Sequence, residues 1–286
     1  MNIAIGSLIA TQLTSLAEGK TITSITANQN PHTFVWFATT PSRAFTDASA
    51  AVDFAPLLVG KKIDRITVNT GGYGFFNFIH IGNRALICDI VPLYTAPGGK
   101  IPKRHQLMIE LDDGRAITYS ASLGGAVFLF ETDENGDAVG YKSDFPLVNT
   151  DGFSYDFFKG IIKQTEGKAV SVKQLLATKN RIPGIDNNLL QDILFEARVN
   201  PKTKVTALSE EEIVRIFTAI KTIPGAIIAS GGKDVDKDVF GKLGGFASAV
   251  SRNTVGKPCA RCGDLIVKEA YLGGSVFYCP SCQKFS

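Results

Sequence analysis

Cys259-Ala260-Arg261-Cys262 and Cys279-Pro280-Ser281-Cys282 form two CxxC pairs, 16 residues apart, near the end of a 286-residue chain. Each pair can bring two thiolates to about 2.3 Å from one metal ion, and four sulfur ligands in a tetrahedron suit zinc. Between the pairs, Leu265 to Ala270 and Ser275 to Tyr278 are strand-like, with Gly273-Gly274 as the turn. The spacing therefore predicts a β-hairpin zinc finger with one ion, held by Cys259, Cys262, Cys279 and Cys282. Protein fills all four positions, so no place is left for a reactive water and the metal is structural. A module this short has little core, and metal binding supplies folding free energy on the order of 10 kcal/mol. Cys88 lies alone in an apolar run and reads as a buried small hydrophobe. Clustering of the other four argues against a disulfide framework and for a reducing, cytoplasmic compartment.

The remainder of the chain changes period in its middle. Up to about Glu134, short β-branched or aromatic runs alternate, among them Thr33 to Phe37, Phe75 to Ile81, Arg84 to Ile90, Gln106 to Leu111, Ala116 to Ala121 and Ala126 to Glu131. Asp112-Asp113-Gly114 is a hairpin turn and Glu134-Asn135-Gly136-Asp137 a second turn. Helices are expected at Ser7 to Leu16 and around Ala48 to Leu58. The periodicity lapses between Tyr141 and Gly152. Beyond it, Leu190, Ile193, Leu194 and Ala197 share a helical face. Ser209 and Glu212 make a capping box ahead of Ile213, Ile216, Phe217 and Ile220. Two further helices are expected at Tyr155 to Lys163 and Val170 to Lys179, while Pro224 and Gly231-Gly232 punctuate the stretch after the capped helix begins.

These patterns predict a multidomain α+β chain. Residues 1–145 form a β-rich domain, a sandwich with flanking helices; residues 152–246 form a helical domain; residues 256–286 form the finger. With 44% apolar and 20% charged residues the chain can bury a sizeable core. It contains no run near the roughly 18 apolar residues of a membrane span, and Met1 to Lys20 lacks the basic start of an export signal. The net charge of +3 is unevenly divided. From Asp151 onward, 19 basic residues face 14 acidic ones, a surplus of +5, whereas the first 150 residues hold 11 against 13, or −2. The basic half is the one suited to a polyanionic partner.

One segment is more specific. Pro183-Gly184-Ile185-Asp186-Asn187-Asn188-Leu189-Leu190-Gln191-Asp192-Ile193-Leu194-Phe195-Glu196-Ala197, continued by Asn200-Pro201-Lys202, resembles the helix–two-turns–helix of the formamidopyrimidine-DNA glycosylase and endonuclease VIII family. There a G-x-G-N turn leads into a helix ending in L-F-x-A. The finger is similar as well, through Gly256-Lys257-Pro258-Cys259 and Tyr278-Cys279-Pro280-Ser281-Cys282-Gln283, and Lys103-Arg104-His105-Gln106 is loosely like a family KHQL segment. The resemblance implies duplex DNA, damaged or abasic, as the partner of a monomer that needs no membrane and no small-molecule cofactor. It places Lys173 against the DNA backbone and Asn187 against a phosphate, although Asn187 also reads as a helix N-cap. The family's phosphate-gripping finger Arg falls on Gly274. Asp186 replaces the second Gly of the turn and brings a negative charge to it.

The same resemblance exposes losses at the reacting end. Family enzymes form a Schiff base through an N-terminal Pro amine, assisted by the adjacent Glu and a strand Lys. This chain opens Met1-Asn2-Ile3-Ala4-Ile5-Gly6, and Asn69 to Phe75, where the Lys is expected, contains none. No catalytic residue is assigned except the amine of Met1 as a candidate substitute. The expectation is a DNA-binding protein of the base-excision-repair glycosylase family without the Pro-Glu mechanism. The alternatives are a glycosylase or abasic-site lyase acting through Met1, and a zinc-ribbon module for RNA or protein. His32, His80 and His105 are isolated among apolar residues and read as packed side chains, as do Trp36 and Phe37.

Overall fold

The computed structural model describes residues 1–27, 35–38, 53–71, 74–121, 125–141, 143–178 and 181–285. They fall into two compact units. The first holds Met1, Gly6–Asp144 and Lys237–Lys242; the second holds Asn2–Ile5, Phe145–Asp236 and Leu243–Ser286.

Helix α1 (Ile3–Ala17) opens the chain, longer than its expected span, with Ile9, Leu13 and Ala17 buried at i, i+4 spacing. The first unit then builds two sheets from β1 (Ile22–Ala27), β2 (Val35–Ala38), β3 (Arg65–Gly71), β4 (Gly74–Ile81), β5 (Arg84–Cys88), β6 (Pro92–Thr95), β7 (Leu107–Leu111), β8 (Ala116–Tyr119) and β9 (Gly125–Glu131), with the short α2 (Ala55–Leu58) between β2 and β3. One sheet runs β1-β7-β8-β6, the other β2-β9-β5-β4-β3. Phe76, Phe78, Ala85, Ile87, Phe128 and Phe130 form one buried face of the larger sheet. Register sets Phe78 opposite Ile87 and Ile87 opposite Phe128. Ile79, Leu86 and Leu129 are equally buried, so these strands are covered on both faces rather than on the one face that the alternating pattern implies. Gly114 closes the expected β7–β8 turn at φ 81°, and Gly136 the second turn, also at 81°. The β2–β9 pairing is parallel, an arrangement the alternating pattern does not reveal.

The second unit contains α3 (Tyr155–Lys163), α4 (Val172–Ala177), α5 (Asn187–Ala197), α6 (Glu210–Ala229), and the hairpin β10 (Val267–Tyr271) and β11 (Gly274–Tyr278). Serines start three of the four helices. Ser154 accepts from the Phe157 N–H, while Ser171 with Gln174 and Ser209 with Glu212 are complete capping boxes. Pro224 does not stop the last helix as expected. It lies buried inside α6, which continues to Ala229, so the helix forgoes one backbone bond there while its buried face, Ile213, Ile216, Ile220 and Ile227, stays packed.

The fold is α+β and multidomain, with β sheets, a helical region and a C-terminal finger hairpin. Among the described residues no helix is long and apolar enough to cross a membrane. Cys88 is fully buried, as expected, and burial holds its thiol far above the usual range. His80 shares a hydrogen with Thr67 Oγ1 at 2.9 Å and stacks on Phe78, and His105 Nδ1 meets the Pro102 carbonyl at 2.9 Å. His32, residues 72–73, residues 48–52 of the expected Ala48 to Leu58 helix, and the Trp36 and Phe37 side chains lie outside the described residues.

Candidate nucleic-acid interface

The finger is assembled from its sulfurs outward. The four cysteine sulfurs lie within 4.8 Å of one another; Cys259 and Cys282 are 3.9 Å apart and Cys262 and Cys279 3.4 Å. A zinc ion with sulfur ligands at about 2.3 Å sets their mutual spacing near 3.8 Å, so the donor set fits one zinc. Backbone N–H groups of Arg261 and Cys282 point at the Cys259 and Cys279 sulfurs, which favours the thiolate form.

Both ends of the finger are fastened to α5 and its continuation. At one end the Arg261 guanidinium donates to the Phe195 carbonyl at 2.8 Å, pairs with Glu196 at 2.9 Å and covers the Phe195 ring. Gln283 donates to the Val199 carbonyl and accepts from the Cys279 N–H, and Asn200 donates to the Gln283 carbonyl. At the other end Gln191 accepts from the Phe277 N–H at 3.1 Å, and the Asn187 side-chain amide donates to the Ser275 carbonyl at 3.0 Å. Phe195, Val250, Cys259, Ile266 and Cys279 share one buried cluster.

Lys173, Asn187 and Gly274, which are 101 positions apart at their extremes, come together at this second end. The Lys173 ammonium donates to the Tyr271 carbonyl at 2.5 Å and lies over the Tyr271 ring. A Cβ built on Gly274 would be 3.4 Å from Lys173 Nζ and 3.9 Å from the Asn187 amide. Lys173 is only 3% exposed, and burial lowers its pKa. Among the described residues the Lys173 ammonium makes one hydrogen bond, which leaves two of its N–H groups without a partner. Asn187 Oδ1 is buried without a partner. Beside it, Asn187, Asn188, Gln191, Asp236, Arg252 and Phe277 line a cavity of about 200 Å³.

Asn187 is not the N-cap of α5. Asp186 is: its Oδ1 accepts from the Asn188 and Leu189 N–H groups at 3.0 and 2.9 Å, and Asn187 is the first helical residue. A carboxylate satisfies orphan amides at least as well as an amide side chain, so the residue that departs from the family's turn takes over the cap. Gly184, at φ 90°, opens the turn in a conformation that favours glycine, and its carbonyl accepts from the Ile3 N–H at 2.8 Å.

The hairpin tip carries a further departure. Leu272 and Gly273 form a two-residue connection with φ of 50° and 72°. Such a turn prefers Asn-Gly or Asp-Gly, and a left-handed leucine costs roughly 1–2 kcal/mol. Leu272 is nevertheless 45% exposed.

In the first unit the Met1 amine has a neighbour that sequence reasoning missed. Burial holds the Asp89 carboxyl above the usual carboxylate range, while the Ala126 N–H, donated at 2.7 Å, and the N-terminal ammonium pull it back. The only sequence signal was an acidic residue closing an apolar strand.

Comparison with known proteins agrees with this architecture. Residues 256–284 match the family described as a zinc finger found in FPG and IleRS. The formamidopyrimidine-DNA glycosylase of Pelotomaculum thermopropionicum is 29% identical over 234 residues, 80% of this chain and 81% of that protein. That of Lactobacillus delbrueckii subsp. bulgaricus is 24% identical over 263 residues, 80% of this chain and 94% of the relative. Among solved structures, MutM (Fpg) of Thermus thermophilus superposes with a TM-score of 0.77 at 18% identity, covering 100% of both chains. Lactococcus lactis Fpg in complex with abasic-site DNA gives 0.73 at 19% identity, covering 99% of this chain and 100% of that one. The chain thus carries the zinc finger found in FPG and IleRS at its C-terminal end, is similar over most of its length to formamidopyrimidine-DNA glycosylases, and shares the fold of MutM (Fpg).

Proposed function

We propose that this chain is a DNA-repair protein that recognises abasic or damaged sites in duplex DNA, as a monomer in the cytoplasm, and that it does so without the Pro-Glu glycosylase and β-lyase mechanism. One observation supports the reading above others: Lys173, Asn187 and the arginine-free strand position Gly274 meet at one end of the finger hairpin. An ammonium with spare protons beside an amide is a phosphate-binding pair, and phosphate contacts position a duplex without reading its sequence. The related Lactococcus lactis Fpg is described in complex with abasic-site DNA. Residues 152–246 and 256–286 would then act together as the DNA-binding part, with Cys259, Cys262, Cys279 and Cys282 holding the zinc that keeps the hairpin in place. The test is fluorescence anisotropy with a duplex carrying an abasic-site analogue. Binding should weaken with salt at a log–log slope of about −0.9 per phosphate neutralised. Lys173→Ala and Asn187→Ala should each weaken it irrespective of sequence, and absent or salt-insensitive binding overturns the reading.

A second reading is favoured by Asp89. The Met1 amine beside a carboxyl whose pKa burial raises has the elements of Schiff-base chemistry: a nucleophile and a group that can exchange a proton. Borohydride trapping on an abasic-site duplex decides between the two. A covalent adduct on Met1 that disappears in Asp89→Asn establishes the lyase reading, and no adduct at any pH from about 6 to 9 leaves the binding reading alone.

A further inference from the structure

Leu272 occupies the first position of a two-residue hairpin turn with φ at 50°, followed by Gly273 at 72°. Both positions require the left-handed conformation that asparagine, aspartate or glycine adopts without strain. A γ-branched apolar side chain there loses backbone stability and gains little burial in return, since the residue is 45% exposed. Strain of this kind at an exposed position points to a contact made outside the chain.

The surroundings identify that contact. The carbonyl of the preceding residue, Tyr271, is held by the Lys173 ammonium, and Gly274, two residues on, faces both Lys173 and the Asn187 amide. Leu272 is therefore joined on both sides to the backbone that frames the proposed phosphate position. In a nucleic-acid strand each phosphate is bonded on both sides to a sugar, whose C–H surface is the apolar group nearest to it. We propose that Leu272 packs against the deoxyribose flanking the phosphate held by Lys173 and Asn187, a binding residue on the finger tip in addition to those two. The assignment rests on the DNA-binding reading and adds to it an apolar contact two residues before Gly274, the position where the family pattern supplies a cation.

Two substitutions relieve the strain while removing the apolar contact: Leu272→Gly and Leu272→Asn. Both should fold at least as well as the parent chain, with a melting temperature higher by about 2–4 °C. Their affinity for an abasic-site duplex should fall about fivefold, the loss expected when the exposed part of one leucine is no longer covered. Because no charge is removed, the salt slope should stay unchanged, whereas Lys173→Ala should flatten it by about 0.9. Unchanged affinity in both Leu272 variants, with Lys173→Ala still weakened, overturns the Leu272 contact alone. A shifted salt slope in the Leu272 variants overturns it also. If the parent chain does not bind the duplex, the DNA-binding reading falls and this assignment falls with it.

Discussion

The Asn2 side-chain amide donates to Asp186 Oδ2 at 3.0 Å, across 184 positions of sequence. Both residues depart from the family pattern, one beside the missing Pro-Glu start and the other in place of a turn glycine, and the two departures meet. Asn2 Oδ1 at the same time accepts from the Ile5 N–H at 3.1 Å, so a single amide caps α1 and braces the turn before α5. Asp186 uses its remaining oxygen on two helix amides, and its charge stands next to Asn187. Asp186→Asn should keep the cap, since Asn and Asp are equivalent N-caps, and should remove the charge. With its one side-chain oxygen on the cap, Asn has no acceptor left for the Asn2 amide, so the melting temperature should fall by about 2–4 °C, while duplex affinity rises about fivefold at low salt and converges on the parent value as salt shortens the screening length. Anisotropy titrations at several salt concentrations measure both.

Gly274 begins β11 and is not among the residues with positive φ. Its lack of a side chain is therefore not imposed by backbone conformation, and a Cβ there would meet Lys173 and Asn187 at ordinary contact distances. Gly274→Arg should fold normally and place a guanidinium beside the Lys173 ammonium. A charge-assisted phosphate bond is worth about 1.5–3 kcal/mol. After the like-charge cost, affinity should rise about tenfold and the salt slope steepen by about 0.9.

How far the sequence discloses this molecule depends on the range of the interactions involved. Ser171 with Gln174 and Ser209 with Glu212 are local signals, and both helix starts are legible in them. The finger hairpin is legible in cysteine spacing, but its turn is Leu272-Gly273, one residue before the expected Gly273-Gly274, and Gly274 already belongs to β11. What escapes is long-range. Choosing between Asp186 and Asn187 as the α5 cap depends on one residue of register. Asp89 becomes a candidate only because the fold brings the amino terminus to it. The parallel β2–β9 pair joins strands about ninety residues apart with nothing local to announce it. Pro224 is a local signal that packing overrules.

Zinc removal tests how much of the interface depends on the finger. The ion supplies binding free energy on the order of 10 kcal/mol to a hairpin with little core, and the hairpin carries Tyr271, Ser275 and Phe277, which bond Lys173, Asn187 and Gln191. The purified chain should contain one zinc. Chelation, or Cys262→Ser, should unfold β10 and β11 and abolish duplex binding, with zinc release monitored by an absorbing chelator and binding by anisotropy.

Lys233 and Asp192 form an ion pair at 2.5 Å, with side chains only 2% and 3% exposed. Lys233 also donates to the Asn188 carbonyl at 3.0 Å and to its Oδ1 at 2.6 Å, and the Asn188 amide donates to Asp236 at 2.8 Å. The pair thus braces the first turn of α5, where Asn187 sits. Lys233→Met leaves Asp192 uncompensated and should cost about 3–5 kcal/mol, with much of that loss recovered in the double variant Lys233→Met/Asp192→Leu. Burial already raises the Asp192 pKa, and Lys233 opposes that rise. Removing Lys233 raises it further, so the folded variant binds this proton more tightly than the unfolded chain does. A raised folded value means stability present at pH below the unfolded carboxyl range and lost as pH climbs through the folded value. The deficit of Lys233→Met against the parent chain should therefore be largest near pH 7 and narrow as the pH falls toward about 5, read as the difference in melting temperature. A deficit independent of pH would mean that Lys233 acts through Asn188 rather than through the charge of Asp192.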